Sequence, residues 1–466
     1  MSADERQSST SALAGANRAI LRAAASVAAA SVVVKLIATA KEIAVAATFG
    51  RSDELDAFLA ALLLPSLLVN LLAESMNQAL VPTLMRVRER EGPEEAQRLL
   101  SSALLWLVAL LLAVSAAMLL LAPLVVPLVS LNFSPTKRAL TLELYCALLP
   151  IVMLGGVASN STAVLNSRDR FLLPTLAPAA VALTVLAALL LAGPRVSVWT
   201  MASATLAGTL LQALLVALLL PRHGYRLSLR WHGAGCHDAN EAVREVGRQY
   251  GQVLGSGLLA SGGLLVDQAM AASLAPGSVS ALAYANRFVG VALTLMAGAI
   301  STAVVPSFSR FVAQEDWPGC RALVRRWVGT MLALAVPIAV ALIAGAHWLV
   351  GVTLQHGAFA AWDTAVVTQV LAMYALQIPF YVASRVDYRL IVAARRTDLV
   401  LVCGGVNLVL DVVLNLVLMR WMGVAGIALA TSLWTMSTFG FLRYWAERLM
   451  RERHCMQQTR CAQIQG

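Results

Sequence analysis

The feature that most constrains this chain is a series of long apolar segments separated by short polar breaks. A membrane-spanning helix needs about 20 mostly apolar residues, and the chain contains about twelve such runs. The composition agrees, because 59% of the 466 residues are hydrophobic and only 13% are charged, whereas soluble domains are about 25% charged. These values exclude a soluble enzyme, a disordered protein and a disulfide-rich secreted domain. We therefore predict an all-α, polytopic membrane protein with spans at residues 17–48, 56–85, 99–130, 138–165, 171–193, 197–220, 245–274, 279–308, 325–353, 363–393, 398–420 and 423–446.

The basic residues indicate the orientation of the chain. The formal net charge is +10, but Lys and Arg lie in the polar breaks, which favours a role in membrane topology over nucleic-acid binding. The tails and alternate loops hold about 25 of the 35 basic residues, which predicts that these segments and both termini are cytoplasmic. The opposite side receives Arg51, Lys137, Arg138, Arg195 and Arg420.

An internal repeat predicts the domain organisation. Residues 57–86 and 281–310 share a pattern of small and apolar residues at an offset of 224, and Leu206–Leu210 resembles Leu429–Leu433 at an offset of 223. A parallel repeat of two six-helix lobes around a central cavity is expected, as in alternating-access transporters. The predicted parts are a cytoplasmic tail (1–16), an N-lobe (17–220), a basic cytoplasmic linker (221–244), a C-lobe (245–446) and a basic cytoplasmic tail (447–466).

Ionisable residues inside the predicted spans indicate the kind of substrate, because each costs about 2.5–3.5 kcal/mol to insert. Lys35 and Lys41 in the first span suit an anionic headgroup such as phosphate or pyrophosphate. Arg287, in the opposite lobe, is a third cation for the same anion. Asp56 and Glu74 lie 18 residues apart, or five helical turns, and are expected to share a face of the second span. Alternatively, these charges pair internally, for example Lys41 with Glu74, and only stabilise the lobe.

A second polar group in the C-lobe suggests coupling to an ion. Asp267 lies in the seventh span, Asn407 and Asp411 share a face of the eleventh, and Thr431 follows in the twelfth. Hard oxygen ligands in a dry bundle suit Na⁺ or H⁺. An equal alternative is that neighbouring hydroxyls and amides satisfy the carboxylates by hydrogen bonding. No other metal site is predicted, and no nucleotide-binding or hydrolase motif is present. The energy source is therefore expected to be an ion gradient or the membrane potential. The basic tail from Arg443 to Arg460 is expected to lie on anionic lipid.

Several motifs resemble one known family. The first half contains Lys41-Glu42-Ile43, Phe49-Gly50, Asp56-Ala57-Phe58, Leu64-Pro65, Ala73-Glu74 and Gln78-Ala79-Leu80-Val81-Pro82. The second half contains Gly277-Ser278-Val279-Ser280-Ala281-Leu282, Tyr284-Ala285-Asn286-Arg287 and Gln355-His356-Gly357-Ala358-Phe359. Over about residues 20–445 the chain resembles the MurJ/MviN lipid II flippases of the multidrug/oligosaccharidyl-lipid/polysaccharide exporter superfamily.

This resemblance implies a transporter, not an enzyme, in the bacterial inner membrane. It would flip an undecaprenyl-pyrophosphate-linked saccharide, such as the peptidoglycan precursor lipid II, from the cytoplasmic to the outer leaflet. The family's essential helix-one cations fall on Lys35 and Lys41, its acidic residue opening helix two on Asp56, and its helix-eight arginine on Arg287. Ion-coupled members match at Asp267, Asn407, Asp411 and Thr431. A monomer is expected, with cell-envelope synthases as candidate partners.

Two departures from the family keep other substrates in view. The family's paired arginines in helix two fall on Val69 and Asn70, and the family usually has two helices beyond the twelve predicted here. The alternatives are a flippase for an exopolysaccharide or O-antigen lipid-linked unit, and a cation-coupled drug exporter of the same superfamily. A membrane glycosyltransferase is disfavoured by the short outer loops, and a transport-inactive scaffold is a further hypothesis.

Overall fold

The described part of the chain is built from helices and contains no β-strand. The computed structural model describes residues 26–27, 29–167, 171–193, 196–221, 237–303, 316–394 and 396–465. The predicted N-terminal tail, most of the predicted linker and the repeat residues Val305, Pro306 and Arg310 lie outside this part. In chain order the helices are α1 (29–49), α2 (Asp53–Leu68), α3 (Glu74–Arg90), α4 (Pro93–Leu120), α5 (Ala122–Val129), α6 (Pro135–Leu148), α7 (Pro150–Asn166), α8 (Leu172–Leu176), α9 (Ala179–Ala192), α10 (Val198–Ala217), α11 (His237–Ala272), α12 (Ser278–Ala303), α13 (Trp317–Leu354), α14 (Ala361–Ala375), α15 (Gln377–Ala393), α16 (Thr397–Met422) and α17 (Val424–Gln465).

The lengths and surfaces of these helices are those of a polytopic membrane protein. Eight helices in the described residues are long and apolar enough to cross a membrane, and the pair α6–α7, bent by 41°, is a candidate ninth. Large apolar side chains face outward, as lipid contact requires: Leu120, Leu191 and Trp421 are each more than 80% exposed. The predicted fold class is thus confirmed, whereas the predicted count of twelve is not. Helices α1, α11 and α12, which the sequence predicts as spans, are not among the eight.

One compact unit combines the described residues up to Val45 with Ala61–Val125 and Leu142–Gly255. Its core is formed by buried side chains of α3, α4 and α7, among them Leu84, Leu107 and Val152. Tyr250 of α11 closes this core, with its ring edge on Trp106 at a centroid distance of 6.4 Å.

The other unit comprises Ala46–Ala60, Val126–Thr141 and the described residues from Ser256 onward. Its core lies among α14, α15 and α17, where Val367, Leu371, Ile378, Leu390 and Ile427 are fully buried. Two segments from the first half of the sequence, 46–60 and 126–141, therefore pack in the same unit as the second half. The predicted division into N-lobe and C-lobe stays a prediction.

Candidate functional site

The predicted substrate cations occupy different environments. In α1, Lys35 is exposed, and Lys41 is half-buried with its Nζ 2.8 Å from Glu42 Oε1. The ion pair of Lys41 is thus formed with its neighbour, while Glu74, the partner considered from the sequence, is exposed. Arg287 lies on an exposed position of α12.

Asp56 and Glu74 do not share the environment expected from their spacing. Between them, Val69–Ala73 forms a π-helical turn, which changes the phase of the helix relative to a regular 3.6-residue repeat. Asp56 is 1% exposed, whereas Glu74 is exposed at the first turn of α3. The expectation of a common face assumed an unbroken α-helix and is wrong for that reason.

The Asp56 carboxylate is the centre of a buried polar cluster. Its Oδ2 accepts hydrogen bonds from the backbone N–H of Gly277 at 2.7 Å and from Lys137 Nζ at 3.2 Å. Its Oδ1 accepts from the backbone N–H of Ser280 at 2.8 Å. Lys137 also donates to the exposed Asp53 at 2.6 Å. The carboxylate thus satisfies two backbone amides at the start of α12 and one buried ammonium group.

A second ion pair extends this cluster. Arg51 Nε donates to the Gly277 carbonyl oxygen at 3.0 Å, and its Nη1 lies 3.3 Å from Asp363 Oδ1 at the start of α14. We call Arg51, Asp53, Asp56, Lys137, Gly277, Ser280 and Asp363 the polar latch. The latch joins four separate segments of one unit by charge-assisted hydrogen bonds, which are stronger than neutral ones.

Backbone geometry explains why two glycines flank this latch. Gly277 has φ +79°, and a Cβ added there would lie 2.7 Å from the Arg51 carbonyl oxygen. Gly357 has φ +59°, and its Cβ would meet the Ala47 carbonyl oxygen, which accepts a hydrogen bond from the N–H of Ala358 at 2.7 Å. Only glycine combines a positive φ with such close backbone approach. Since the Gly50 carbonyl oxygen accepts a hydrogen bond from the Tyr284 hydroxyl at 3.0 Å, the three sequence motifs that contain Gly50, Gly277 and Gly357 meet beside the latch.

The predicted ion-site carboxylates also come together. Asn415 Nδ2 donates to Asp267 Oδ1 at 2.7 Å and to Asp411 Oδ1 at 3.2 Å, so one amide bridges both acids. Thr431 Oγ1 lies 3.1 Å from Asp267 Oδ2. Asp411, Asn415 and Thr431 are each less than 9% exposed. Two acidic groups this close in a low-dielectric interior require a counter-charge, either a bound cation or a shared proton.

Asn407 does not contact these two acids, and Asn415 stands beside them in its place. The Asn407 amide contacts Cys403 Sγ at 3.6 Å, one turn earlier on α16. Sequence reasoning missed Asn415, although the run Asn407, Asp411 and Asn415 repeats at four-residue spacing. The buried oxygens Asp411 Oδ2 and Asn415 Oδ1 have no hydrogen-bond partner among the described residues. Such free acceptors fit a small monovalent cation.

A sequence model of the family described as "Lipid II flippase MurJ" matches residues 45–461. The chain belongs to the lipid II flippase MurJ family. Over 447 residues it is 27% identical to a "Probable lipid II flippase MurJ" of Synechocystis sp., covering 91% of this chain and 81% of that relative. It is 28% identical over 354 residues to the "Lipid II flippase MurJ" of Burkholderia cenocepacia, covering 72% and 66%.

Solved structures support the same fold. A structure described as "Lipid II flippase MurJ, inward closed conformation" superposes with a TM-score of 0.78 at 22% identity, covering 90% of this chain and 87% of that chain. A structure described as "Inward-facing conformation of a multidrug resistance MATE family transporter of the MOP superfamily" gives a TM-score of 0.74 at 13% identity, covering 90% of this chain and 95% of that chain. The resemblance found in the sequence is thus confirmed, and the chain is a member of a transporter family, not of an enzyme family.

Proposed function

We propose that this protein flips lipid II from the cytoplasmic to the outer leaflet of the bacterial inner membrane by alternating access. The observation that carries this proposal is the match of residues 45–461 to the MurJ family. The apolar, outward-facing helices give the required multi-pass membrane location. Both termini are proposed to be cytoplasmic, because most basic residues lie in the tails and the loops on their side.

Lys35, Lys41 and Arg287 are proposed to bind the pyrophosphate of the substrate. Lysine binds a phosphate as a compact point charge, and arginine adds directed N–H donors. Lys41 is half-buried beside Glu42, so the anion would compete with that carboxylate for the ammonium group. Glu74, exposed at the start of α3, is also proposed to contact the substrate.

Asp56 is proposed to hold the outer side of the transporter closed. Arg51 and Lys137, which bind in the polar latch, are two of the basic residues that the charge pattern assigns to the outer side. Segments 46–60 and 126–141 would have to leave the start of α12 when substrate exits outward. The family's acidic residue at the opening of helix two would then act through the gate instead of through direct substrate contact.

The energy for transport is proposed to come from Na⁺ or H⁺ at Asp267, Asp411, Asn415 and Thr431. Asp411 Oδ2 and Asn415 Oδ1 supply buried oxygens that are free to bind a cation. Asn407, which contacts Cys403, is proposed to have a lesser role. When bound, one Na⁺ would offset one of the two negative charges, and this change of charge would alter how α11 and α16 pack.

The oligomeric state, the lipid contacts and the alternative substrates are proposed from the sequence. The protein is proposed to act as a monomer, with its basic C-terminal tail on anionic lipid and cell-envelope synthases as candidate partners. The alternative substrates are an exopolysaccharide or O-antigen lipid-linked unit. They are favoured because Val69 and Asn70, in the π-helical turn, occupy the positions on which the family's paired arginines fall. A cationic drug is disfavoured by the lysines of α1.

Complementation tests the proposed substrate. A bacterium depleted of its essential lipid II flippase should survive when it expresses the parent chain and die when it expresses Lys41→Ala at equal membrane abundance. Lys41→Arg, which keeps the charge, is the matched control and should support growth. Death with a well-inserted parent chain would overturn lipid II as the substrate and favour an exopolysaccharide or O-antigen unit.

A further inference from the structure

A basic cavity lies where α13 begins and the membrane-spanning part of α17 ends. Its volume is about 300 Å³. Its lining residues are Trp317, Pro318, Arg321, Ala322, Arg325, Met450 and Arg451. None of these residues belongs to the polar latch or to the Asp267–Asp411 cluster.

The three arginines of this cavity have few acidic partners among the described residues. Arg321 and Arg325 stand one turn apart on α13, are both exposed, and form no ion pair with any described residue. Arg451 has one acidic contact, with its Nη2 3.3 Å from Glu447 Oε2 on the same helix. Like charges at this spacing repel each other. An anion between the three guanidinium groups would remove that repulsion.

The other wall of the cavity is apolar. Trp317 and Met450 are 6% and 2% exposed, and Pro318 and Ala322 complete this wall. Both helices are candidate membrane spans, Trp317–Leu354 and Val424–Arg453, so the cavity lies at their polar ends. Tryptophan is enriched at this depth of a membrane, where headgroups meet acyl chains. A basic wall facing an apolar wall is complementary to a lipid phosphate and the glycerol backbone beneath it.

We propose that this cavity binds the phosphate of an anionic phospholipid in the adjacent leaflet. Guanidinium groups bind phosphate oxygens through paired N–H donors. Basic pockets between transmembrane helices on the cytoplasmic side are suited to anionic lipid headgroups. Bound lipid would tie the start of α13 to the end of α17 and stabilise this side of the unit.

The test compares two triple variants of the full-length protein purified in a neutral detergent. The cavity variant is Arg321→Gln/Arg325→Gln/Arg451→Gln. The control is Arg326→Gln/Arg448→Gln/Arg453→Gln, which removes the same charge from the same two helices. Each variant loses one ion pair within α17, Arg451–Glu447 or Arg448–Glu452. The melting temperature is measured with added phosphatidylglycerol, phosphatidylcholine or inorganic phosphate.

Phosphatidylglycerol should raise the melting temperature of the parent and the control more than phosphatidylcholine does. In the cavity variant the phosphatidylglycerol concentration that gives half of this rise should be at least about tenfold higher. Equal responses of the two variants would overturn the site, and an equal rise with inorganic phosphate alone would overturn the lipid assignment. Should the cavity variant not fold, Arg325→Gln against Arg326→Gln gives the same comparison with one charge.

Discussion

Replacing Asp56 with alanine should open the polar latch. The change leaves the N–H groups of Gly277 and Ser280 without their acceptor and removes one of the two carboxylates that Lys137 contacts, so that Asp53 remains. Each buried donor without a partner costs about 1–3 kcal/mol. Water entering the small cavity and the remaining Asp53 contact reduce this cost, so we expect the closed latch to lose about 3 kcal/mol. That value corresponds to a shift of about a hundredfold in the equilibrium between closed and open latch.

Thiol labelling measures that shift. Ser280→Cys is introduced into a variant in which the six native cysteines are replaced, because the Ser280 side chain is fully buried in the closed latch. A membrane-impermeant maleimide added to the outer side should label this cysteine about a hundredfold faster when Asp56 is alanine. Abundance in the membrane and a single peak in size-exclusion chromatography show that each variant is folded.

Asp53→Asn is the matched control for this experiment. Asp53 also pairs with Lys137, but its side chain is 57% exposed. Because solvent already surrounds most of the Asp53 carboxylate, its contact with Lys137 should contribute no more than about 1 kcal/mol, and labelling should change by no more than about fivefold. Equal labelling of the Asp56→Ala and parent proteins, or equal effects of Asp53→Asn and Asp56→Ala, would refute the latch and return Asp56 to the substrate site.

Three further predictions concern the ion site, the latch backbone and the substrate cations. In a thermal-shift titration with K⁺ as the control ion, Asn415→Ala should raise the Na⁺ concentration needed for half-maximal stabilisation about tenfold or more. Asn407→Ala should leave this concentration near the parent value. The reverse order of the two variants would disprove the assignment. Gly277→Ala should destabilise the protein by about 1–3 kcal/mol through its positive φ and its contact with Arg51, whereas Gly290→Ala, where no atom lies near the added Cβ, should not; equal melting temperatures would contradict this. Lys41→Ala should weaken binding of a soluble pyrophosphate analogue more than Lys41→Arg does, and equal affinities would remove this residue from the site.

The fold class followed from the sequence because it depends on the length and polarity of segments. A run of about 20 apolar residues has few alternatives to a membrane helix. The pairing of Asp267 with Thr431 was also accessible, since buried polar side chains in an apolar bundle need one another. Asn415 was accessible in principle from its four-residue spacing to Asp411.

The polar latch was not accessible from periodicity. Arg51 and Lys137 were recognised only as outer basic residues, because their acidic partners lie on segments far away in the sequence. Asp56 and Glu74 were assigned to one face because a π-helical turn leaves no clear mark in the sequence. Glycines occur in the sequence motifs, but the close backbone contacts of Gly277 and Gly357 are visible only in the structure.

Transport of lipid II by the purified protein is the direct test of the proposed function. The protein is reconstituted into vesicles with fluorescent lipid II, and the fraction of label exposed to an external quencher is followed with time. We expect exposure of the inner-leaflet pool by the parent chain, loss of this activity with Lys41→Ala, and slower exposure of a lipid-linked O-antigen unit. Movement of the O-antigen unit without movement of lipid II would show that lipid II is not the substrate.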